Sequence, residues 1–178
     1  MSSCHSSNQT MVDILERRSH RAYTDQPLTQ QQLDTLLEAA LQAPTARNLQ
    51  SCQVIGVTDP SWMQAFNEEA AKAVGRDDFS FCHHAPAFFF ILGDKSNRWS
   101  EVDGGIIVEN MALAAQSLGL GSCIIGMIRD FMDSPRGDYW MSRLGAAPNH
   151  KFVIGLAVGH PISQPDPKPR DTSRVKMI

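Results

Sequence analysis

No excess of positive charge is present in the chain: 16 Lys and Arg stand against 19 Asp and Glu, for a net charge of −3 and a pI near 6.0. Such a balance offers little with which to neutralise phosphates along a duplex and argues against a nucleic-acid partner. Cysteines are few, and those at 4, 52, 82 and 123 lack any C-x-x-C spacing, which argues against a zinc knuckle or an iron–sulfur cluster. They read as free, mostly buried thiols. His83 and His84 are adjacent, but the other histidines, at 5, 20, 150 and 160, complete no H-E-x-x-H or similar ligand set, so no metal is expected. No apolar run approaches the roughly 18 residues of a membrane span. Residues 1–10 (MSSCHSSNQT) have no apolar export core, which makes a cytoplasmic location the default. No Ser-His-Asp or Cys-His arrangement is evident. Gly119-Leu120-Gly121 follows a helix instead of opening one, against a dinucleotide loop.

What is present is enough apolar material for one core: 42% of 178 residues are hydrophobic, and no low-complexity linker divides the chain. Thr29 and Gln32 have the Thr-x-x-Gln form of a capping box ahead of Leu33, Leu36, Leu37, Ala40 and Leu41. Pro44 ends that helix, and residues 43–50 become a polar loop leading to a strand at 54–57. Asp59 and Pro60 look like N-cap and first residue of a helix through about Val74, closed by Gly75. Ala87–Leu92 and Phe152–Val158 are apolar on both alternating faces, which suits interior strands covered on each side. Asp103-Gly104-Gly105 opens a long helix with few polar positions, expected to be buried nearly all round. Residues 123–126 read as a strand or extended turn, and a short helical stretch is expected near Tyr139–Leu144. Pro161, Pro165, Pro167 and Pro169 forbid regular structure after that.

One stretch gathers fixed donors at a single chain reversal: Arg17-Arg18-Ser19-His20-Arg21, where the amphipathic run Val12, Ile14, Leu15 gives out. Guanidinium groups hold phosphate by paired charge-assisted hydrogen bonds, and a serine adds a neutral donor. The plain alternative is that these cations complement a helix C-terminus, worth about 0.3–1 kcal/mol each. Likewise the loop 43–50 reads equally as a connector, and the cationic tail with Lys168-Pro169-Arg170 as a disordered arm or one lying on a partner surface.

Taken in order, these segments resemble the FMN-dependent nitroreductase family. The resemblance runs from about Val12 to Arg170, through Arg17–Arg21, Ala43–Gln50, Asp103-Gly104-Gly105, Leu118–Gly126, Gly155–Gly159 and Lys168-Pro169-Arg170. It implies an α+β fold, a mixed central sheet flanked by helices, in an intertwined homodimer with FMN at the subunit interface. One domain is expected over 12–160, after a disordered segment 1–11 and before a C-terminal arm 161–178. Carried over by position, Arg17, Arg18, Ser19 and Arg21 are the N-terminal flavin contacts, with Arg21 near the N1/O2 edge of the ring. Pro44, Thr45 and Asn48 reach the flavin of the other subunit, Ile125 and Gly126 face flavin N5, and Lys168 and Arg170 join the arginines around the phosphate. The implied activity is hydride transfer from NADH or NADPH through FMN to small planar electrophiles such as nitroaromatics or quinones, with no catalytic side chain required. Two other readings stay open: a flavoenzyme of the same fold with another reaction, such as dehalogenation or flavin fragmentation, and a non-catalytic FMN-binding or storage module. The chain departs from the family where Ser51-Cys52 follow Gln50 and where the segment between Val57 and Pro86 is short, with no counterpart for middle FMN contacts.

Overall fold

The computed structural model describes residues 8–77 and 79–178. Four strands, β1 (Cys52–Val57), β2 (Ala87–Asp94), β3 (Gly121–Ile125) and β4 (His150–Gly159), form one sheet in the order β1-β2-β4-β3. Around it stand α1 (Gln9–Glu16), α2 (Gln30–Leu41), α3 (Pro60–Ala73), α4 (Ser100–Ser117), α5 (Arg129–Met132) and α6 (Pro135–Arg143). All three strand pairs are antiparallel, so the expected mixed sheet is corrected to an antiparallel one, while the α+β class holds. Parallel pairing shrinks to one bridge between Ser19 and Ser122, because the chain leaves β3 at once to bridge Pro161 from Tyr23.

The interior strands divide the core in two, as their unbroken apolar sequence requires. From β2, Phe88, Phe90 and Leu92 pack with Phe66, Phe131 and Trp140 of α3, α5 and α6. Its alternate residues Ala87, Phe89 and Ile91 pack with Leu36 of α2 and Met111 and Ala115 of α4. Each buried phenylalanine contributes about 1.5–3 kcal/mol through lost apolar exposure. Gly155 of β4 lies where Phe88 crosses, since an added Cβ would meet the Phe88 ring at 2.4 Å.

Helix starts follow side-chain capping. The Thr29–Gln32 capping box opens α2, and Asp59 accepts from Ser61 and Trp62 backbone N–H groups at the start of α3. At α1 the Asn8 side chain accepts from Met11 N–H, so the helix begins at Gln9; residues 9–11 of the segment expected to be disordered are helical, and 1–7, with Cys4 and His5, lie outside the described residues. Ser134 and Pro135 likewise start α6 four residues earlier than Tyr139, and α5 precedes it. Helix α4 begins at Ser100, ahead of Asp103, and is not buried all round. Gly104 meets the sheet, where a Cβ would sit 2.8 Å from Val153, whereas Val102 and Ile106 are exposed on the opposite face. The residue pattern could not separate a face covered by its own sheet from an apolar face left open.

Candidate functional site

The arginine stretch lies where α1 ends against β3 and α4. His20 N–H donates to the Ser122 carbonyl at 2.9 Å, pinning the stretch to the edge of β3. Arg17 Nε donates to Glu109 Oε1 of α4 at 3.1 Å; among the described residues its two terminal nitrogens take no partner. Arg18 turns back on its own helix end, donating to the Leu15 carbonyl at 2.6 Å and the Arg17 carbonyl at 2.9 Å. That is the capping role the plain reading allowed, although Arg18 Nε is buried with no acceptor among the described residues. Arg21 makes only a long contact, 3.4 Å, to the Ser19 carbonyl.

Arg21 instead faces a hollow of about 400 Å³ in which Ile125 and Gly126 also stand. Three positions expected at one site, separated by a hundred residues of chain, thus meet. Ile125 is the last residue of β3 paired to β4, opposite Gly155, and Gly126 is the first beyond the ladder. Cys123 lines the same hollow. Burial pushes its thiol up, while the positive charges of Arg21 and Arg17 pull it partly back. The remaining wall was not legible in the sequence: Arg76, Phe79 and His83 come from the segment after α3, and no spacing ties them to Arg21 or Ile125. His83 is held below its ordinary value by burial, then by the charges of Arg21 and His84.

The other expected residues lie elsewhere in this chain. Pro44, Thr45 and Asn48 flank a turn at the start of α4, where Ala46 N–H donates to the buried Asp103 Oδ1 at 3.0 Å. Arg47, Asn48 and Gln50 adopt left-handed backbone (φ 55, 53 and 48), a local strain that the Asp103 anchor and the Thr45 hydroxyl, accepting from Gln50 N–H at 3.1 Å, hold in place. These residues do not line the hollow of their own chain. Lys168 and Arg170 are exposed on the arm. The arm is tied to the arginine stretch at Gln164, whose Oε1 lies 2.8 Å from His20 Nε2 and whose Nε2 donates to the Glu16 carbonyl at 2.9 Å.

A second hollow, of about 680 Å³, is lined by Asp25, Met63, Asn67, Glu68, Cys82 and His84 among others and contains none of the expected residues. Segment 79–84 serves both hollows, with Phe79 and His83 in one and Ser80, Cys82 and His84 in the other.

The nitroreductase family model matches residues 14–160. The chain belongs to that family. It is 33% identical over 181 residues to an FMN reductase (NADPH) of Bacillus subtilis, which covers 92% of this chain and 70% of that protein. An oxygen-insensitive NADPH nitroreductase of Salmonella typhimurium is 30% identical over 172 residues, 90% of this chain and 69% of the relative. In three dimensions the nitroreductase with bound FMN from Bacteroides fragilis superposes with a TM-score of 0.90 at 25% identity, over 97% of this chain and all of that one. Among the described residues, no helix is long and apolar enough to cross a membrane.

Proposed function

We propose that this member of the nitroreductase family is an FMN-dependent NAD(P)H oxidoreductase, a cytoplasmic homodimer that reduces small planar electrophiles. The observation that carries the reading is the convergence of Arg21, Ile125 and Gly126 on one hollow in a chain of this family. The donors suit the cofactor: among the described residues Arg17 has two terminal nitrogens without a partner, Arg18 an Nε without an acceptor, and Arg21 only one long contact. Such a set is matched by a phosphate dianion and an electron-rich ring edge. When bound, FMN supplies the two-electron chemistry between nicotinamide and acceptor.

The protein's part is to bind, orient and tune. Arg17, Arg18 and Ser19, joined by Lys168 and Arg170 from the arm, hold the phosphate. Arg21 fixes a positive charge on the hollow wall, which favours a ring that has gained electrons. Ile125 and Gly126, at the end of the β3 ladder, give the ring a rigid backbone edge. Pro44, Thr45 and Asn48 serve the partner's hollow, which accounts for a strained, anchored loop that lines no hollow of its own chain. The dimer is further supported by the exposed apolar residues Ile14 and Leu15 of α1, Leu37 and Leu41 of α2, and Val102 and Ile106 of α4. A stable monomer with full flavin occupancy in light scattering would contradict it. For the function, the purified protein should be yellow, and NADH or NADPH should bleach its flavin absorbance anaerobically; a colourless protein that gains no flavin absorbance from added FMN would overturn the reading.

A further inference from the structure

The hollow that Gly126 lines also carries a cation that the expected flavin contacts do not employ. Arg76 follows Gly75, whose positive φ of 67 closes α3, and Arg76 N–H caps the helix by donating to the Ala71 carbonyl at 2.9 Å. Its own carbonyl accepts from Phe79 N–H at 2.9 Å, and its guanidinium stands 4.3 Å over the Phe79 ring. The arginine is therefore held from both backbone and ring. Elsewhere on the surface Arg129, Arg136 and Lys151 are each paired with a carboxylate, and Arg76 is not, among the described residues. No described carboxylate lines the hollow, where Arg21 adds a second positive charge. His83 sits beside Phe79 with their ring centroids 6.0 Å apart, and His83 and His84 hold consecutive left-handed conformations (φ 51 and 54) that turn the segment there. Burial, with the charges of Arg21 and His84 beside it, disfavours a charge on His83, so its ring faces the hollow as a hydrogen-bonding group.

We propose that Arg76, Phe79 and His83 form the acceptor-selecting wall of this hollow, and that its preferred oxidant is a planar aromatic bearing an anionic group such as a carboxylate. The inference rests on the reading above and gives it a substrate class. The aromatic body has the Phe79 ring and Met127 to lie against, and the anion has the exposed Arg76 guanidinium, which pairs with no carboxylate among the described residues and can donate charge-assisted hydrogen bonds to it. For a nitroaromatic acid each turnover balances as one nitro compound, one NAD(P)H and one proton giving the nitroso compound, NAD(P)+ and one water.

The test compares 4-nitrobenzoate with its neutral isostere 4-nitrobenzamide, in steady-state reduction and in calorimetric binding to the FMN-loaded protein. The wild type should favour the carboxylate by about tenfold in both, mostly through KM, as one charge-assisted bond allows. Arg76→Gln should bring the ratio near one, and Arg76→Lys should restore part of it. Equal treatment of the two acceptors by the wild type overturns the proposal, as does an equal loss for both in Arg76→Gln. A rise in KM for NADPH alone would assign the guanidinium to the donor, and loss of FMN from Arg76→Gln would assign it to the cofactor; either result overturns it. A wild type without bleachable flavin instead refutes the underlying function, and with it this proposal, and is recognised from its spectrum before any acceptor is added.

Discussion

Two hollows share segment 79–84, and the larger is the less informative. The 680 Å³ hollow presents Asp25 and Glu68 and no Lys or Arg, whereas the 400 Å³ hollow presents Arg21 and Arg76 and no described carboxylate. Volume alone would favour the first. Chemistry favours the second, because a dianionic cofactor and an electron-rich ring need fixed cations and a rigid backbone edge, and only the end of β3 supplies both. Their cysteines register the same difference. Burial alone pushes the Cys82 thiol up to about 12, while at Cys123 the nearby arginines oppose burial.

The largest expected effect separates the hollows directly. Arg21→Ala should weaken FMN binding by about 10- to 150-fold, the loss of one charge-assisted hydrogen bond. Asp25→Asn and Glu68→Gln should leave it within about twofold, since both carboxylates are exposed, line only the other hollow and are screened by solvent. Equal losses in all three variants, followed by flavin fluorescence quenching, would erase the distinction.

A smaller effect probes the floor of the site. Gly155→Ala places a methyl 2.4 Å from the Phe88 ring and 3.5 Å from the Ile125 carbonyl. Overpacking of this kind costs about 1–3 kcal/mol, visible as a lower denaturation midpoint with unchanged m-value. Because the strain adjoins Ile125, FMN affinity should fall in the folded variant too. An unchanged midpoint would mean that the strands have room to shift.

The smallest effect compares the thiols. A thiol raised by folding is held neutral, so its contribution to stability is present below the ordinary value of 9.0 and is lost as pH rises toward the folded value of about 12 at Cys82. At pH 9.5 iodoacetamide should therefore alkylate Cys123 several-fold faster than Cys82, as mapped by peptide mass. Arg21→Ala should narrow the gap. Faster labelling of Cys82 would reverse the electrostatic contrast.

Local chemistry made much of this fold legible in the sequence. The Thr29–Gln32 box, Asp59-Pro60 and the doubly apolar Ala87–Leu92 each act through neighbours close in the chain, and each yields the element it announces. The open face of α4 was not legible, because Ile106 reads as a core residue whether a sheet or another surface covers it, and Val102 precedes the Asp103 at which the helix was expected to open. Arg21, Ile125 and Gly126, expected together from motif order, line one hollow. Arg76, Phe79 and His83 were missed because their meeting with Arg21 is a product of packing, with no spacing to announce it. Arg17 shows a further limit: sequence suggested an anion ligand, and the structure adds Glu109 as a competing partner for its Nε.

The most direct measurement of the central claim is the titration of apoprotein with FMN for Arg17→Ala, Arg170→Ala and the double variant. If the N-terminal arginines and the arm serve one flavin phosphate, each single change weakens binding by about 10- to 150-fold, and the two losses fail to add in the double variant. Unchanged affinity in both single variants would contradict the site, leaving Arg17 as a helix-end cation bonded to Glu109 and the arm as a solvated tail.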